Sequence, residues 1–457
     1  MLRNLNFALL ASLMSWNVAN ANTIDDTLFP DGDKKLETDA ALVLKNGKVI
    51  YERYGNGYGP ERKHHSWSMA KTVGGILAGI AIDRGYLRLD DPVRKWFPKF
   101  TGTATVLDVL QMSSGIDYQE EHFFIPVASD TVRMLYLDGP GMGFASYVAQ
   151  RPLRTQNGDP GKHFYYSSGD SNLIAEILRR AMPKKVYDSF PWDALFKPLG
   201  IPNAVFERDV RGTFIASSYV YMTAREYARI GELLVGRGVY NGKRIIPEAY
   251  FKLMGEVAPG VGVVATGSTF HATGYSSMVR TNLPIPSRGC GSEFPDIPLD
   301  SIFLFGHQGQ VVLGSPSTGL VLVRLGTDSG MSTVRGDFFA ASRAVLRERG
   351  TSIEASLPSD NRRCTTDEED RKRYFKYRRK VPAAEYKKVP FLIRQIAAKD
   401  VCSCTFVLGR TEEQCRSDLK TSIKALPVLP RILVDRAMKR VITGTGGSKS
   451  LAVYDGE

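Results

Sequence analysis

The chain has 457 residues, 43% of them hydrophobic and 24% charged, with a formal net charge of +12. This length accommodates two or three domains, and the composition is typical of a globular protein rather than a fibrous or disordered one. After the first residues no stretch is long and uncharged enough to cross a bilayer, so no membrane span is predicted.

Residues 1–21 predict a signal peptide. Arg3 supplies a positive charge, residues 7–16 form a short apolar core, and Ala19-Asn20-Ala21 has the small residues of a cleavage site. We therefore expect cleavage after Ala21 and a periplasmic or secreted protein. The alternative is that this segment is a buried N-terminal helix.

The next part of the chain, residues 22–350, has strand patterns at both ends and helical patterns between them. Residues 41–51 predict a hairpin, with Asn46-Gly47 as a type I′ turn. We expect an α+β domain in which one antiparallel sheet, formed from both ends, is flanked by helices and carries a mainly helical insertion at about 90–236. The late elements predicted are strands at 301–305, 310–313 and 320–325, and a helix at 338–349.

A serine and a lysine with three-residue spacing, Ser68 and Lys71, open an apolar helix that continues to residue 82. This spacing places both side chains on one face of the first turn. Backbone N–H groups at a helix start stabilise negative charge near the serine oxygen. Because the helix is apolar all round, we expect it to be buried. A lysine at its start would then be paired or strained, as active-site lysines are.

The same spacing occurs at Ser417 and Lys420, where the surrounding charges indicate a solvated helix face. The motif alone is therefore weak evidence. The alternative for Ser68 is a helix-start residue without chemistry.

Two later segments complete a possible site. The first runs from Phe164 through Tyr166 and Ser168 to Leu173, and the second is residues 305–310, which lie between two predicted strands. Alternatives remain for both: Tyr166 as a packed aromatic residue and His307 as a structural turn histidine.

Residues 351–457 predict a separate basic, cysteine-containing C-terminal extension, with 22 Lys and Arg against 14 Asp and Glu. We expect weak helix over 419–440 and flexibility over 443–448. The acidic run 367–370 beside the basic residues argues against a nucleic-acid partner, and favours a solvated segment or peripheral contact with an anionic cell envelope. Disulfides are favoured over a metal site for the five cysteines Cys290, Cys364, Cys402, Cys404 and Cys415.

Taken together, the three segments resemble the serine β-lactamase and penicillin-binding-protein superfamily. The likeness is to the class C branch, with its family VIII esterases and 6-aminohexanoate-dimer hydrolases. Those proteins carry S-x-x-K, then Y-x-N or a Y-x-S-like variant, then K-T-G or H-x-G, in this order. Residues 110–116 and 195–201 are similar to two further segments of the branch, and the resemblance covers roughly residues 36–350.

The resemblance implies a β-lactamase/transpeptidase-like fold and an acyl-enzyme mechanism without a cofactor or a metal ion. Ser68 would be the nucleophile, Lys71 and Tyr166 its acid/base partners, and His307 a source of positive charge or a hydrogen bond. The implied oxyanion hole is formed by the backbone N–H groups of Ser68 and Gln310. The implied substrate-binding residues are Ser168, Gln308 and Gly309, and looser candidates for the site lining are Ser66, Tyr51, Tyr118, Tyr275 and Asp170.

Two departures bear on the substrate. Ser168 stands where class C β-lactamases have asparagine, and His307 stands where they have lysine. Both favour an esterase or an amidase that acts on a small ester or linear amide. The alternatives are a D-alanyl peptidase or a β-lactamase, and, from another class, a non-catalytic peptidoglycan-binding protein. The sequence leaves the oligomeric state open.

Overall fold

A computed structural model describes residues 24–25, 27–29, 37–120, 126–262, 274–289, 291–294, 297–328, 382–422, 431–445 and 448–454. The predicted signal peptide and the predicted helix at 338–349 lie outside these ranges, as do Cys290 and Cys364. Within the described ranges, none of the helices has the length and apolarity that a membrane span needs.

A seven-stranded antiparallel sheet brings together strands from both ends of the region 22–350, as predicted. Its strand order is β2-β1-β12-β11-β10-β9-β8. The hairpin turn is as predicted, since Asn46 and Gly47 both have positive φ, at 50° and 74°. The strands are β1 (Thr38–Lys45), β2 (Lys48–Tyr54), β8 (Gly274–Ser276), β9 (Val279–Thr281), β10 (Ile302–Gly306), β11 (Gln310–Ser315) and β12 (Leu320–Gly326).

Alternate residues of the central strands enter two different cores. Leu42 and Val323 pack into a large core shared with the helices, whereas Val43 and Leu322 pack into a smaller core with Leu28. Side chains on a strand alternate between faces, so a sheet covered on both sides needs strands that are apolar throughout. This explains the unbroken apolar runs in β1 and β12.

The segment between β2 and β8 is mainly helical, and its described residues also form one three-stranded and one two-stranded small sheet. π-Helical turns extend it at Arg133–Leu137 and Trp192–Phe196. Single 3₁₀ turns lie at Val93–Lys95, Pro126–Ala128 and Pro259–Gly262, and a further one at Pro286–Arg288 lies between β9 and β10. Its helices are α1 (Met69–Asp83), α2 (Val106–Leu110), α3 (Asp130–Val132), α4 (Phe144–Ala149), α5 (Ser168–Ala181), α6 (Lys184–Pro191), α7 (Ala224–Val235) and α8 (Glu248–Met254), and its strands are β3 (His64–His65), β4 (Val205–Phe206), β5 (Val220–Met222), β6 (Val239–Tyr240) and β7 (Lys243–Arg244).

Helix α1 is buried along almost its whole length, as its apolar sequence predicts. A Cβ atom on Gly75 would lie 2.6 Å from the Ser277 carbonyl oxygen. The hydroxyl of Thr72 donates to the carbonyl of Met278 at 3.0 Å. The β8–β9 turn therefore rests directly on the first half of α1, where Ser68 and Lys71 lie.

The C-terminal extension is built from α9 (Ala383–Tyr386), α10 (Val389–Cys402), α11 (Glu412–Ser422) and a three-stranded antiparallel sheet. Its strands are β13 (Arg431–Asp435), β14 (Arg440–Thr445) and β15 (Ser448–Val453). The predicted helix over 419–440 is wrong over 431–440, because β13 pairs with β14, and its residues 423–430 lie outside the described ranges. The predicted flexibility over 443–448 is also wrong for its described residues, since Thr445 pairs with Ser448.

A disulfide joins Cys404 to Cys415 within the extension, with Cα atoms 5.6 Å apart. It takes up two of the four thiols that the alternative of a metal site in this region required. Buried Val401, Leu419 and Val441 surround it and form a small core of the extension's own.

Candidate active site

Ser68 and Lys71 lie together at the start of α1. The Lys71 Nζ atom is 2.8 Å from the Ser68 Oγ atom, and the Lys71 side chain is only 2% exposed. Ser68 occupies the N-cap position of α1, yet its hydroxyl makes no capping hydrogen bond. Serine at this position usually accepts a backbone N–H of the first turn. The Ser68 oxygen is instead engaged with an amine, which argues against the alternative of a helix-start residue without chemistry.

Two further acceptors hold the Lys71 amine. It donates to the Ser168 Oγ atom at 2.9 Å and to the Ser217 carbonyl oxygen at 3.2 Å. A lysine side chain has three donor positions in its ammonium form, and two donors with one lone pair in its neutral form. Since Ser168 and Ser217 fix two positions, the third is directed at the Ser68 hydroxyl. The role of Lys71 as an acid/base partner of Ser68 stays a prediction.

Tyr166 lies beside this pair, with its ring centroid 4.9 Å from the Lys71 Nζ atom. The guanidinium of Arg280, a 5% exposed residue of β9, lies 5.3 Å from the same ring. The Tyr275 ring meets the Tyr166 ring edge-on, with the two ring centroids 6.1 Å apart. His307 was predicted to supply positive charge near the phenol or a hydrogen bond, and the structure places the cationic groups of Lys71 and Arg280 near the ring.

The β10–β11 turn contains His307, Gln308 and Gly309 and leads into Gln310, the first residue of β11. Gln308 and Gly309 have φ angles of 59° and 83°. A Cβ atom on Gly306 would lie 2.4 Å from the Ser66 carbonyl oxygen, so the turn approaches the segment before Ser68 closely. The start of α1 at Ser68 and the start of β11 at Gln310 are therefore neighbours in the structure. The role of their backbone N–H groups as an oxyanion hole stays a prediction.

Trp67 connects the two loops. Its indole N–H donates to the Gln308 side-chain oxygen at 3.0 Å, and its ring meets the exposed His307 ring edge-on at 5.2 Å. The φ angle of Trp67 is 44°, an unusual backbone conformation for a bulky residue. Strained residues of this kind cluster at functional sites. This unusual conformation immediately precedes the predicted nucleophile, Ser68.

Glu120 is a member of the site that the sequence analysis missed. Its carboxylate accepts the Ser168 hydroxyl and the Ser168 backbone N–H, each at 2.6 Å. It also accepts the Thr131 hydroxyl at 2.9 Å. The prediction of Ser168 as a substrate contact stays a prediction, but the 2% exposed Ser168 hydroxyl is already engaged by Lys71 and Glu120. The predicted roles of Gln308 and Gly309 in substrate binding likewise stay predictions.

The looser candidates for the lining fall in different places. Tyr275 packs on Tyr166, and the Tyr118 hydroxyl bonds Thr131, whereas the Ser66 hydroxyl donates to the Ser218 carbonyl at 2.7 Å. The prediction for Tyr51 is wrong in position, because it packs on the smaller core on the other face of the sheet and donates to Asp25. Asp170 is buried in the first turn of α5, where burial raises its pKa to about 7.

A buried lysine in contact with a serine, beside a tyrosine and near the β10–β11 turn, is the arrangement of a serine hydrolase in which lysine takes the place of histidine. Residues 24–344 match the model of the Beta-lactamase family, and this is more than half of the chain. The chain belongs to that family.

A 6-aminohexanoate-dimer hydrolase from Paenarthrobacter ureafaciens is 28% identical over 238 residues, which are 49% of this chain and 59% of that protein. This chain therefore spans less than two thirds of that relative's length. Among solved structures, a hydrolase with promiscuous acyltransferase activity matches with a TM-score of 0.56 and 17% identity, covering 72% of this chain and 99% of that one. A family VIII carboxylesterase matches with a TM-score of 0.53 and 14% identity, covering 71% and 97%. These structures show the shared fold.

Proposed function

We propose that this chain is an exported serine hydrolase that cleaves a small ester or a linear amide through an acyl-enzyme on Ser68. The observation that carries the proposal is the Lys71 amine, which lies 2.8 Å from the Ser68 hydroxyl while Ser168 and Ser217 hold its other two positions. The related 6-aminohexanoate-dimer hydrolase supports an amide substrate, and the similar carboxylesterase fold supports an ester.

In the proposed acylation, the Ser68 oxygen bonds to the substrate carbonyl carbon while its proton passes to Lys71. The negative charge that develops on the carbonyl oxygen is stabilised by the backbone N–H groups of Ser68 and Gln310. The proton then passes from Lys71, directly or through Tyr166, to the leaving alcohol or amine as its bond to the carbonyl carbon breaks. In deacylation a water oxygen bonds to the acyl carbon while its proton passes to Lys71 or Tyr166. The bond from the acyl carbon to the Ser68 oxygen then breaks, the proton passes to that oxygen, and the carboxylic acid leaves.

Export is supported by the cleavage-site pattern that ends at Ala21 and by the Cys404–Cys415 disulfide, since structural disulfides form in oxidising compartments. Expression of the full chain in a Gram-negative host tests this part. We expect the intact mass of the periplasmic product to correspond to a chain that begins at Asn22. A full-length product confined to the cytoplasm would contradict export without affecting the chemistry.

The reaction is tested by intact mass spectrometry after brief exposure to p-nitrophenyl acetate, with Ser68→Ala as the matched variant. We expect an adduct of one acyl group on the wild type, a burst of p-nitrophenol, and neither in the variant. Linear amides, a penicillin and a D-alanyl-D-alanine peptide then separate the substrate classes. The absence of adduct and turnover with all four would overturn the hydrolase and favour a peptidoglycan-binding protein.

A further inference from the structure

We infer that Glu120 is a positioning residue of this active site, which sets the direction of the hydrogen bonds that hold Lys71. The inference rests on the proposed function, because it concerns how Lys71 is prepared to accept the Ser68 proton. Its starting point is a continuous row of contacts from Ser68 through Lys71 and Ser168 to Glu120, with distances of 2.8, 2.9 and 2.6 Å.

The direction of each hydrogen bond in this row follows from the chemistry of the groups. An ionised carboxylate only accepts hydrogen bonds, so the single hydroxyl proton of Ser168 points at Glu120. The Ser168 oxygen is then left with lone pairs only toward Lys71, and it must accept from the amine. Thr131 donates to the second carboxylate oxygen, and Tyr118 in turn donates to Thr131 at 3.0 Å.

This order matters because a serine hydroxyl can also donate. Without an acceptor at Glu120, the Ser168 hydroxyl is free to turn and donate its proton to the lone pair of a neutral Lys71. Ser168 would then compete with Ser68 for the one position on the amine that the proposed reaction uses. Glu120 removes this competition by holding the Ser168 proton on its far side.

The carboxylate also places a negative charge two hydrogen bonds away from the amine, where positive charge appears when Ser68 gives up its proton. Charge-assisted hydrogen bonds are the strong ones in such rows. Both effects lower the free energy of the acylation transition state, and Glu120 needs no contact with the substrate for either. Among the described ionisable side chains, Tyr118 and Tyr275 interact electrostatically with Glu120, and Lys71 is linked to it through Ser168.

The test compares Glu120→Gln with Glu120→Asp and with Glu256→Gln, a matched change at an exposed glutamate. For Glu120→Gln we expect kcat/KM with p-nitrophenyl acetate to fall about 10- to 100-fold. The acidic limb of its pH profile should move to lower pH, since a nearby cation loses its proton more easily once the carboxylate charge is gone. Glu120→Asp should show a smaller fall in kcat/KM and an acidic limb at the wild-type pH. Glu256→Gln should have the wild-type kcat/KM and pH profile.

A double-mutant cycle with Ser168→Ala separates positioning from a general structural effect. If Glu120 acts through Ser168, Glu120→Gln should slow the Ser168→Ala protein by less than it slows the wild type, since only the effect of the carboxylate charge remains. An unchanged pH profile in Glu120→Gln, or losses that add fully in the double variant, would overturn the inference. The Ser68 acyl adduct in the wild type is scored in parallel, so failure of the proposed function is distinguished from failure of this inference.

Discussion

At the residue scale, the buried carboxyl of Asp170 predicts a pH-dependent stability. Asp170 is 1% exposed, and burial raises its pKa from 3.8 to about 7 even though it accepts hydrogen bonds from Ser114 and Ser167. The folded state therefore holds this proton where the unfolded chain has released it. Its stabilising contribution is complete below pH 3.8 and is lost as the pH rises through 7.

Asp170→Asn should remove this dependence, because the amide oxygen accepts the same hydrogen bonds without a charge. Between pH 4 and 7 we expect the wild-type free energy of unfolding to fall relative to the variant, by up to about 1.4 kcal/mol per pH unit. Urea unfolding at several pH values measures the difference. Parallel curves for the two proteins across this range would contradict the buried protonated carboxyl.

Single residues of the site differ in how far the sequence could predict them. Ser68 and Lys71 were found because three-residue spacing in a helix fixes their contact locally. Glu120 and Arg280 were not, since each meets its partners only after distant segments fold together. Tyr118 is the best signal available for Glu120, because it is a site candidate two residues earlier in the chain.

At the element scale, the close contact between α1 and the β8–β9 turn predicts that Gly75 cannot be enlarged. A Cβ atom there would lie 2.6 Å from a backbone oxygen and 2.8 Å from the Met278 Cβ atom. For Gly75→Ala we expect a net loss of about 2 kcal/mol in stability, because two such close contacts belong at the upper end of overpacking costs and alanine returns roughly 1 kcal/mol as a helix former.

Because Gly75 lies one turn after Lys71, the variant should also lose turnover out of proportion to its stability. Thermal melts and kcat/KM together measure this. Gly141→Ala is the control, since no atom lies within 4 Å of the added Cβ atom there. Equal melting temperatures for wild type and Gly75→Ala would show that the turn does not rest on α1 as described.

Elements with a clear local pattern were predicted well, and elements fixed by pairing were not. The apolar strands β1 and β12 were predicted because they are buried on both faces, and the β1–β2 turn because Asn-Gly favours positive φ. β13 was predicted as weak helix because its sequence, with Ile432, Leu433 and Val434 consecutive, does not alternate as a half-buried strand does. Its pairing with β14, formed across a turn, decides its structure instead.

At the scale of the whole molecule, ion pairs attach the C-terminal extension to the hydrolase region. The Lys399 amine of α10 lies 2.8 Å from Glu207 and 3.9 Å from the Tyr219 ring centroid. Arg62 and Arg410 both pair with Asp418. Tyr219 stacks on His65, three residues before Ser68, so the extension supports the segment that leads to the nucleophile.

We expect a double-mutant cycle of Glu207→Gln and Lys399→Met to show a coupling of about 1–2 kcal/mol, because the pair is largely buried. Chemical denaturation of the four proteins provides the values. A coupling near zero would mean that the extension is attached by its other contacts.

The Cys404–Cys415 disulfide is expected to stabilise the extension, since it closes a loop over a sequence separation of 11. Replacing both cysteines by alanine should cost about 2–3 kcal/mol by the chain-entropy estimate. In limited proteolysis of the variant, the C-terminal extension should then be cleaved faster than the hydrolase region. Identical cleavage of wild type and variant under non-reducing conditions would contradict this role.

The acceptors that orient Lys71 have a consequence for how activity appears. Ser168 and Ser217 are 97 and 146 residues away from it in sequence. In a partly folded chain, Ser68 and Lys71 therefore lack the acceptors that orient them. We expect such a chain to be inactive. Activity would appear only when Ser168 and Ser217 have come into contact with Lys71. Recovery of turnover during refolding should consequently lag behind recovery of helix content. Turnover would then indicate that the long-range contacts of the fold have formed.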